Sequence, residues 1–251
     1  MLVKVADGSE YDKATILRVD SLLDHAGQPV PFPVDNALIN GAFDFAQRQV
    51  PGTLTSVADD VYCADRWYAL TQTAAIQYQR TTGDTRSLYS GLIKQNQGTA
   101  QRMGIAQIIE NSISHSYRGR TIDFKFKYKA STATNLRYAI CEWVGTADTV
   151  TSDIVLDWTS TTYTANAFFL AANLNVLALG LLGATTSFQQ ASGNATTVGA
   201  SCNNLIVFVW TEGTAAQNVT VQITEAVLGL SSASLAWVPR PLGVEAELCR
   251  R

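Results

Sequence analysis

Two histidines, His25 and His115, and four scattered cysteines, Cys63, Cys141, Cys202 and Cys249, are the residue types here best suited to nucleophilic or metal chemistry. Their spacing supports neither. No two cysteines form a Cys-x-x-Cys pair, and neither His-Glu-x-x-His nor Gly-x-Ser-x-Gly occurs. A zinc site and an activated serine are therefore not expected. The cysteines read as free buried thiols in preference to disulfides. Glycoside hydrolysis needs only two carboxyl groups a set distance apart. Glu110, Glu142, Asp153, Asp157 and Glu212 are available, but with 21 acidic residues in the chain some pair always seems plausible. No catalytic residue, metal or cofactor is expected, and the chain reads as a non-enzyme.

Binding chemistry is better supplied. A pyranose has an apolar face and a polar rim, so sugar sites combine exposed aromatic rings with nearby Asn, Asp, Gln or Arg. Trp143, Trp158 and Tyr163 are the candidate glycan-binding residues, with Tyr117 beside them. Each also reads as a core or interface residue, because most aromatics are buried. Lys125, Lys127 and Lys129 form a basic stripe that reads as the solvated face of an edge or outer strand. The net charge is −3 and no long basic run occurs, which argues against a nucleic-acid partner. "AFFLAANLNVLALGLLGA", residues 167–184, is nearly long enough to span a bilayer. Asn173 and Asn175 interrupt it and no Lys or Arg flanks it closely. It reads as a buried strand and loop, or part of a subunit interface, and no membrane insertion or signal peptide is expected.

Any of these roles depends on elements that hold the side chains in place. "RTIDFKFKYKA", residues 120–130, puts Ile122, Phe124, Phe126 and Tyr128 on one face and Asp123 and the three lysines on the other. Period two with aromatic residues predicts a half-buried strand. "NLRYAICEWV", residues 135–144, sets Leu136, Tyr138, Ile140 and Glu142 opposite Arg137, Ala139, Cys141 and Trp143. "NVTVQITEA", residues 218–226, turns Val219, Val221 and Ile223 inward. "NLIVFVW", residues 204–210, is continuously apolar and predicts a central strand buried on both faces. Only "IIENSISHSY", residues 108–117, reads as a helix. Many short strands separated by Ser, Thr, Gly, Asn and Ala predict an all-β chain, a β-sandwich or jelly roll.

Residues 1–35 stand apart. "ATILRVDSLLD", residues 14–24, reads as a short strand or a helical turn, and Pro29, Pro31 and Pro33 then force an extended linker. The division predicted is an arm over 1–35 that docks on a neighbour, and a domain over 36–251.

Within that domain the order of motifs is more specific. Asn36, Leu38, Asn40, Gly41, Phe43, Gln47 and Arg48 are followed by Tyr62, Asp65, Arg66 and Trp67. Phe126 and Lys129 come next, and then Pro239, Arg240, Glu245, Glu247, Leu248, Cys249 and Arg250. This order, over about residues 36–251, resembles a domain common in tail fibre and other appendage proteins of tailed bacteriophages, which looks like a carbohydrate-binding-module jelly roll. The resemblance implies a virion structural protein at the particle surface, in a tail fibre or similar appendage. It also implies a homotrimer, with the arm docked on other virion proteins, and attachment to a host-surface glycan. A capsid decoration or head-fibre protein with the same fold, or a carbohydrate-binding module of an enzyme, are the alternatives. The chain departs from the family pattern at Ala46 and Gln49, at Val227–Leu230, and in stopping at Arg251, which suggests a shortened chain or a different ending.

The motif residues also carry local expectations. Asn40-Gly41 permits positive φ, so the entering strand bulges or turns there. Phe43 and Phe45 share one face of that strand. Asp65 and Arg66, placed on a strand, point to opposite faces and need separate partners, a carboxylate or an aromatic ring in the case of Arg66. Trp67 is the core anchor.

Overall fold

The computed structural model describes residues 36–50, 52–132, 134–170, 172–192, 194–232 and 235–250, together with one strand pair near the N-terminus. The chain forms two compact units, residues 1–33 and 34–251. In the first, β1 (Val3–Lys4) pairs antiparallel with β2 (Glu10–Tyr11). The element expected at 14–24, His25 and the proline linker lie outside the described residues.

The second unit is a β-sandwich of two antiparallel sheets. Its strands are β3 (Thr55–Val57), β4 (Val61–Ala64), β5 (Trp67–Thr71), β6 (Ile76–Thr82), β7 (Tyr89–Lys94) and β8 (Met103–Ile109). They continue with β9 (Thr121–Ala130), β10 (Leu136–Trp143), β11 (Leu174–Leu182), β12 (Gln189–Ser192), β13 (Thr196–Thr197), β14 (Asn204–Thr211) and β15 (Thr220–Leu230). One sheet runs β11-β10-β14-β8-β5-β4; the other runs β12-β9-β15-β7-β6-β3, and β13 also pairs with β9. From β5 onward the chain crosses repeatedly between the sheets, as a jelly roll does.

The alternating segments do what their period requires. Phe124, Phe126, Leu136, Tyr138, Val221 and Ile223 meet between the sheets in one apolar cluster. β14 lies in the middle of its sheet, and its side chains divide by parity. Leu205, Val207 and Val209 enter the inter-sheet core, whereas Ile206, Phe208 and Trp210 enter a second cluster on the outer face. That second cluster exists because residues 144–170 lie across the outer face as a covering segment. Ile154, Val155, Phe168 and Phe169 anchor it there. The segment has almost no strand of its own and closes its backbone locally. The Asp153 carboxylate accepts from Val155 N–H at 3.1 Å, and the Asp157 carboxylate from Thr159 N–H at 2.8 Å. These are the turns that Asp, Ser and Thr favour.

Among the described residues two helices flank the sandwich: α1 (Asn111–Ser114), continued by a 3-10 turn over His115–Tyr117, and α2 (Leu242–Cys249). The first falls inside the expected stretch, but Ile108 and Ile109 complete β8 instead. The second was not expected. Its signals are Pro241 at the N-cap and Glu245 in the first turn, where a carboxylate meets the positive end of the helix.

The basic stripe differs from expectation. β9 is an interior strand, and its lysines are occupied. Lys127 pairs with Asp84 at 2.5 Å and Glu225 at 3.2 Å, Lys125 donates to Leu235 O at 3.1 Å, and Lys129 lies over the Phe188 ring. The sequence does not reveal that β15 bulges between Thr224 and Val227, with Glu225 in the left-handed region at φ 50°. The bulge turns a buried carboxylate toward Lys127. All four cysteines are free and buried. Burial pushes the Cys63 and Cys249 thiols up to about 12, which leaves them inert.

Among the described residues no helix is long and apolar enough to cross a membrane. Part of the 167–184 run forms β11, an edge strand.

Candidate functional site

Motif residues from the start of the domain, the β4–β5 turn and α2 meet around Asn40. Asn40 is fully buried, with φ 58°, and is the hub. Its Nδ2 donates to Phe45 O at 2.7 Å and to Asp65 O at 3.0 Å, and its Oδ1 accepts from Phe45 N–H at 3.0 Å. The Trp67 indole N–H donates to Asn40 O at 3.1 Å, and the Trp67 ring stacks on Phe43 with centroids 5.2 Å apart. Gly41 sits against β15, where a Cβ would fall 2.2 Å from Ala226 O, so only glycine fits. Gln47 N–H donates to the Asp65 carboxylate at 2.8 Å. From α2, the Glu245 carboxylate accepts Asn40 N–H, while Arg240 pairs with Glu245 at 3.0 Å and donates to Leu38 O at 2.8 Å. Trp67 is the core anchor its position predicts.

Two local expectations give way here. Residues 43–46 are not a strand: Phe43 is held at φ 57°, its ring packed where a Cβ on Gly91 would be, and Phe45 is only half-buried. Asp65 and Arg66 form the turn between β4 and β5, with Arg66 at φ 72°. They do have separate partners, and that of Arg66 is a carboxylate, Glu110.

Arg66 leads to an open cleft of about 350 Å³ on the outer face of the first sheet. The covering segment borders it through Asp148 and Val150 but leaves the β4–β5 hairpin uncovered. Tyr62 and Tyr68 form one wall, their rings stacked with centroids 4.0 Å apart. The Tyr68 hydroxyl donates to that of Tyr62 at 2.6 Å, and Arg48 lies over the Tyr62 ring at 4.8 Å. Burial, followed by the bond to Tyr62, pushes the Tyr68 phenol well above its ordinary range, so it stays a neutral donor. Ile108 adds apolar surface, and Arg66, Glu110, Ser112, Asp148 and Asn204 supply the polar rim. An aromatic wall facing a polar rim can hold an apolar sugar face and its hydroxyls.

The aromatics picked out from sequence sit elsewhere. Trp158 and Tyr163 belong to the covering segment and are half-buried against the sheet, each edge-on to Phe168. Tyr163 also carries the Arg137 guanidinium over its ring at 4.2 Å. Trp143 ends β10, half-buried, with its indole N–H donated to Thr146 O at 2.9 Å. None of the three lines the cleft. Tyr117, 1% exposed, is a core residue and not a surface ring. Of the five carboxylates weighed for hydrolysis, only Glu110 lines the cleft, and it is bonded to Arg66. Glu142 is buried against Gly199 N–H, and Glu212 pairs with Arg137. Among the described residues no cluster of three or more His, Cys, Asp or Glu is placed to hold a metal ion.

Sequence reasoning missed Tyr68, Asp148 and Asn204. Tyr62 and Tyr68 are six residues apart, a spacing with no meaning until the β4–β5 hairpin pairs them directly.

No protein-family model and no curated protein matches the chain. Among solved structures, TmCBM61 in complex with beta-1,4-galactotriose is similar at 8% identity and a TM-score of 0.44, over 78% of this chain and 99% of that one. The enzymatically active domain of bacteriophage CBA120 tailspike protein 4 is similar at 13% identity and a TM-score of 0.43, over 88% of this chain and 24% of the other. The C-terminal family 22 carbohydrate-binding module of Clostridium thermocellum Xyn10B is similar at 10% identity and a TM-score of 0.41, over 72% and 94% of the two chains.

Proposed function

We propose that this chain is a structural protein of a tailed-phage virion, exposed in a tail fibre or similar appendage, which attaches the particle to a host-surface glycan and does not cleave it. The motif order from Asn36 to Arg250 supports the virion reading. One observation carries the glycan reading: the stacked Tyr62–Tyr68 wall faces Arg66, Glu110, Asp148 and Asn204 across an open cleft. Trp143, Trp158 and Tyr163 remain secondary candidates, each half-buried.

The test is binding of the purified protein to host cells, with polysaccharide chain length measured before and after. Wild type binds and leaves the polymer intact. Tyr68→Ala weakens binding by about 1–3 kcal/mol, the range for loss of one stacked ring, and Tyr62→Ala weakens it too by removing the ring on which Tyr68 rests. Unchanged binding in both variants moves the site away from the cleft. Absence of any cell or glycan binding by wild type favours the capsid decoration or head-fibre role, and depolymerisation favours an enzyme.

A further inference from the structure

Resting on the reading of the cleft as a glycan site, we infer that it selects uncharged sugars and excludes acidic ones, and that Asp148 sets this choice. The charge count inside the cleft carries the inference. Among the described residues that line the cleft Arg66 is the one guanidinium, and it is bonded to the Glu110 carboxylate; Arg48 lies over the Tyr62 ring and is not part of the lining. Asp148 is matched by no cation among the described residues. Its Oδ1 accepts from Asn111 N–H at 2.8 Å and from the Asn204 amide at 2.6 Å, both neutral donors. The cleft therefore carries a surplus negative charge.

Asp148 is also held for the task. Its backbone is left-handed, at φ 57°, and its N–H donates back to Asn204 Oδ1 at 3.0 Å. Asn204 is buried, and its side chain is fixed a third time by donation to Ile109 O at 3.0 Å. This closed ring fixes the carboxylate at the cleft wall, and among the described residues no donor reaches Oδ2. A sugar hydroxyl can donate to that oxygen, and the ionised acceptor strengthens the bond. A uronate, sialate or phosphate placed there would set like charges together beside a carboxylate that no cation among the described residues pairs with.

The experiment uses immobilised neutral glucans, galactans and mannans beside the same polymers oxidised at C6 to uronates, so each pair differs at C6 alone, and the salt and Asp148 arms separate the charge from the lost hydroxyl. Wild type binds at least one neutral polymer and its oxidised partner at least about tenfold more weakly. Raising salt narrows the gap by strengthening acidic binding, because screening weakens repulsion. Asp148→Asn keeps the Oδ1 acceptor and narrows the gap further, again by raising acidic binding. Equal binding of a neutral polymer and its oxidised partner by wild type overturns the inference and leaves the glycan reading standing. So does a gap that changes with neither salt nor the variant. Binding of no polymer, neutral or acidic, overturns the glycan reading itself and this inference with it.

Discussion

Asp59 and Asp153 give the fold a pH dependence at the level of single carboxylates. Burial raises the Asp59 pKa above its ordinary 3.8, and the Asp153 and Asp60 carboxylates raise it further. Burial and the Asp60 charge act the same way on Asp153. A carboxylate whose folded pKa lies above its unfolded value destabilises the fold wherever it is ionised. That cost is full above the folded pKa and disappears as pH falls below about 3.8. Asp153→Asn removes the charge and keeps an acceptor for Val155 N–H. The variant should gain stability at pH 7, about half a kcal/mol for a partly solvated group. The gain should be absent at pH 3.5. Thermal melts at the two pH values check this, and an equal gain at both would show that the charge is not its source.

Two elements close the sandwich, and each depends on a few side chains. The covering segment is short of backbone pairing, so its position depends on Phe168, Phe169, Trp158 and Tyr163 packed over Phe208 and Trp210. Arg102 ties it down by donating to Trp158 O and, at 2.9 Å, to Ser160 O. Trp158→Ala should cost about 3 kcal/mol, the low end for an aromatic cut to Ala because the ring is half-buried. Denaturant titration measures the cost. A variant of wild-type stability with lost glycan binding would instead make Trp158 a ligand residue. The second closure is the latch from α2. Arg240 and Glu245 join the C-terminal segment to Leu38 and Asn40, at the start of the domain. Glu245 is 5% exposed. Arg240→Ala leaves its carboxylate buried without a cation, and should cost about 3 kcal/mol. Arg240→Ala with Glu245→Gln should recover part of that loss, measured in the same titration, because the stranded charge is gone.

At the scale of the whole molecule the remaining prediction is assembly. The sandwich leaves Leu88, Leu156, Leu181, Leu230 and Leu242 exposed, scattered over loops, strands and α2. Light scattering should report a trimer for the purified chain, and deletion of residues 1–35 should release the protein from the particle. A compact monomer whose particle association survives the deletion would refute both the trimer and the docking arm. Symmetric closure about one axis requires each copy to present two different surfaces to its neighbours.

The strands were legible because period two is a property of the chain: wherever one face is buried, alternate residues must be apolar, whatever lies opposite. Phe124, Phe126 and Val221 follow from that rule, and the two-sided burial of residues 204–210 follows from its unbroken apolar run. The motif from Asn40 to Trp67 was legible as a pattern, but its meaning was not. Asn40, Asp65, Arg240 and Glu245 act together only because hydrogen bonds join residues up to about two hundred positions apart. The α2 helix was missed because its caps are weak and it is only eight residues long. The cleft belongs wholly to the tertiary structure. Tyr62 meets Tyr68 through hairpin register, Arg66 reaches Glu110 from a left-handed turn, and Asp148 arrives on a segment with almost no strand structure. Composition could nominate aromatic residues, but long-range packing decides which rings are covered and which are left facing solvent.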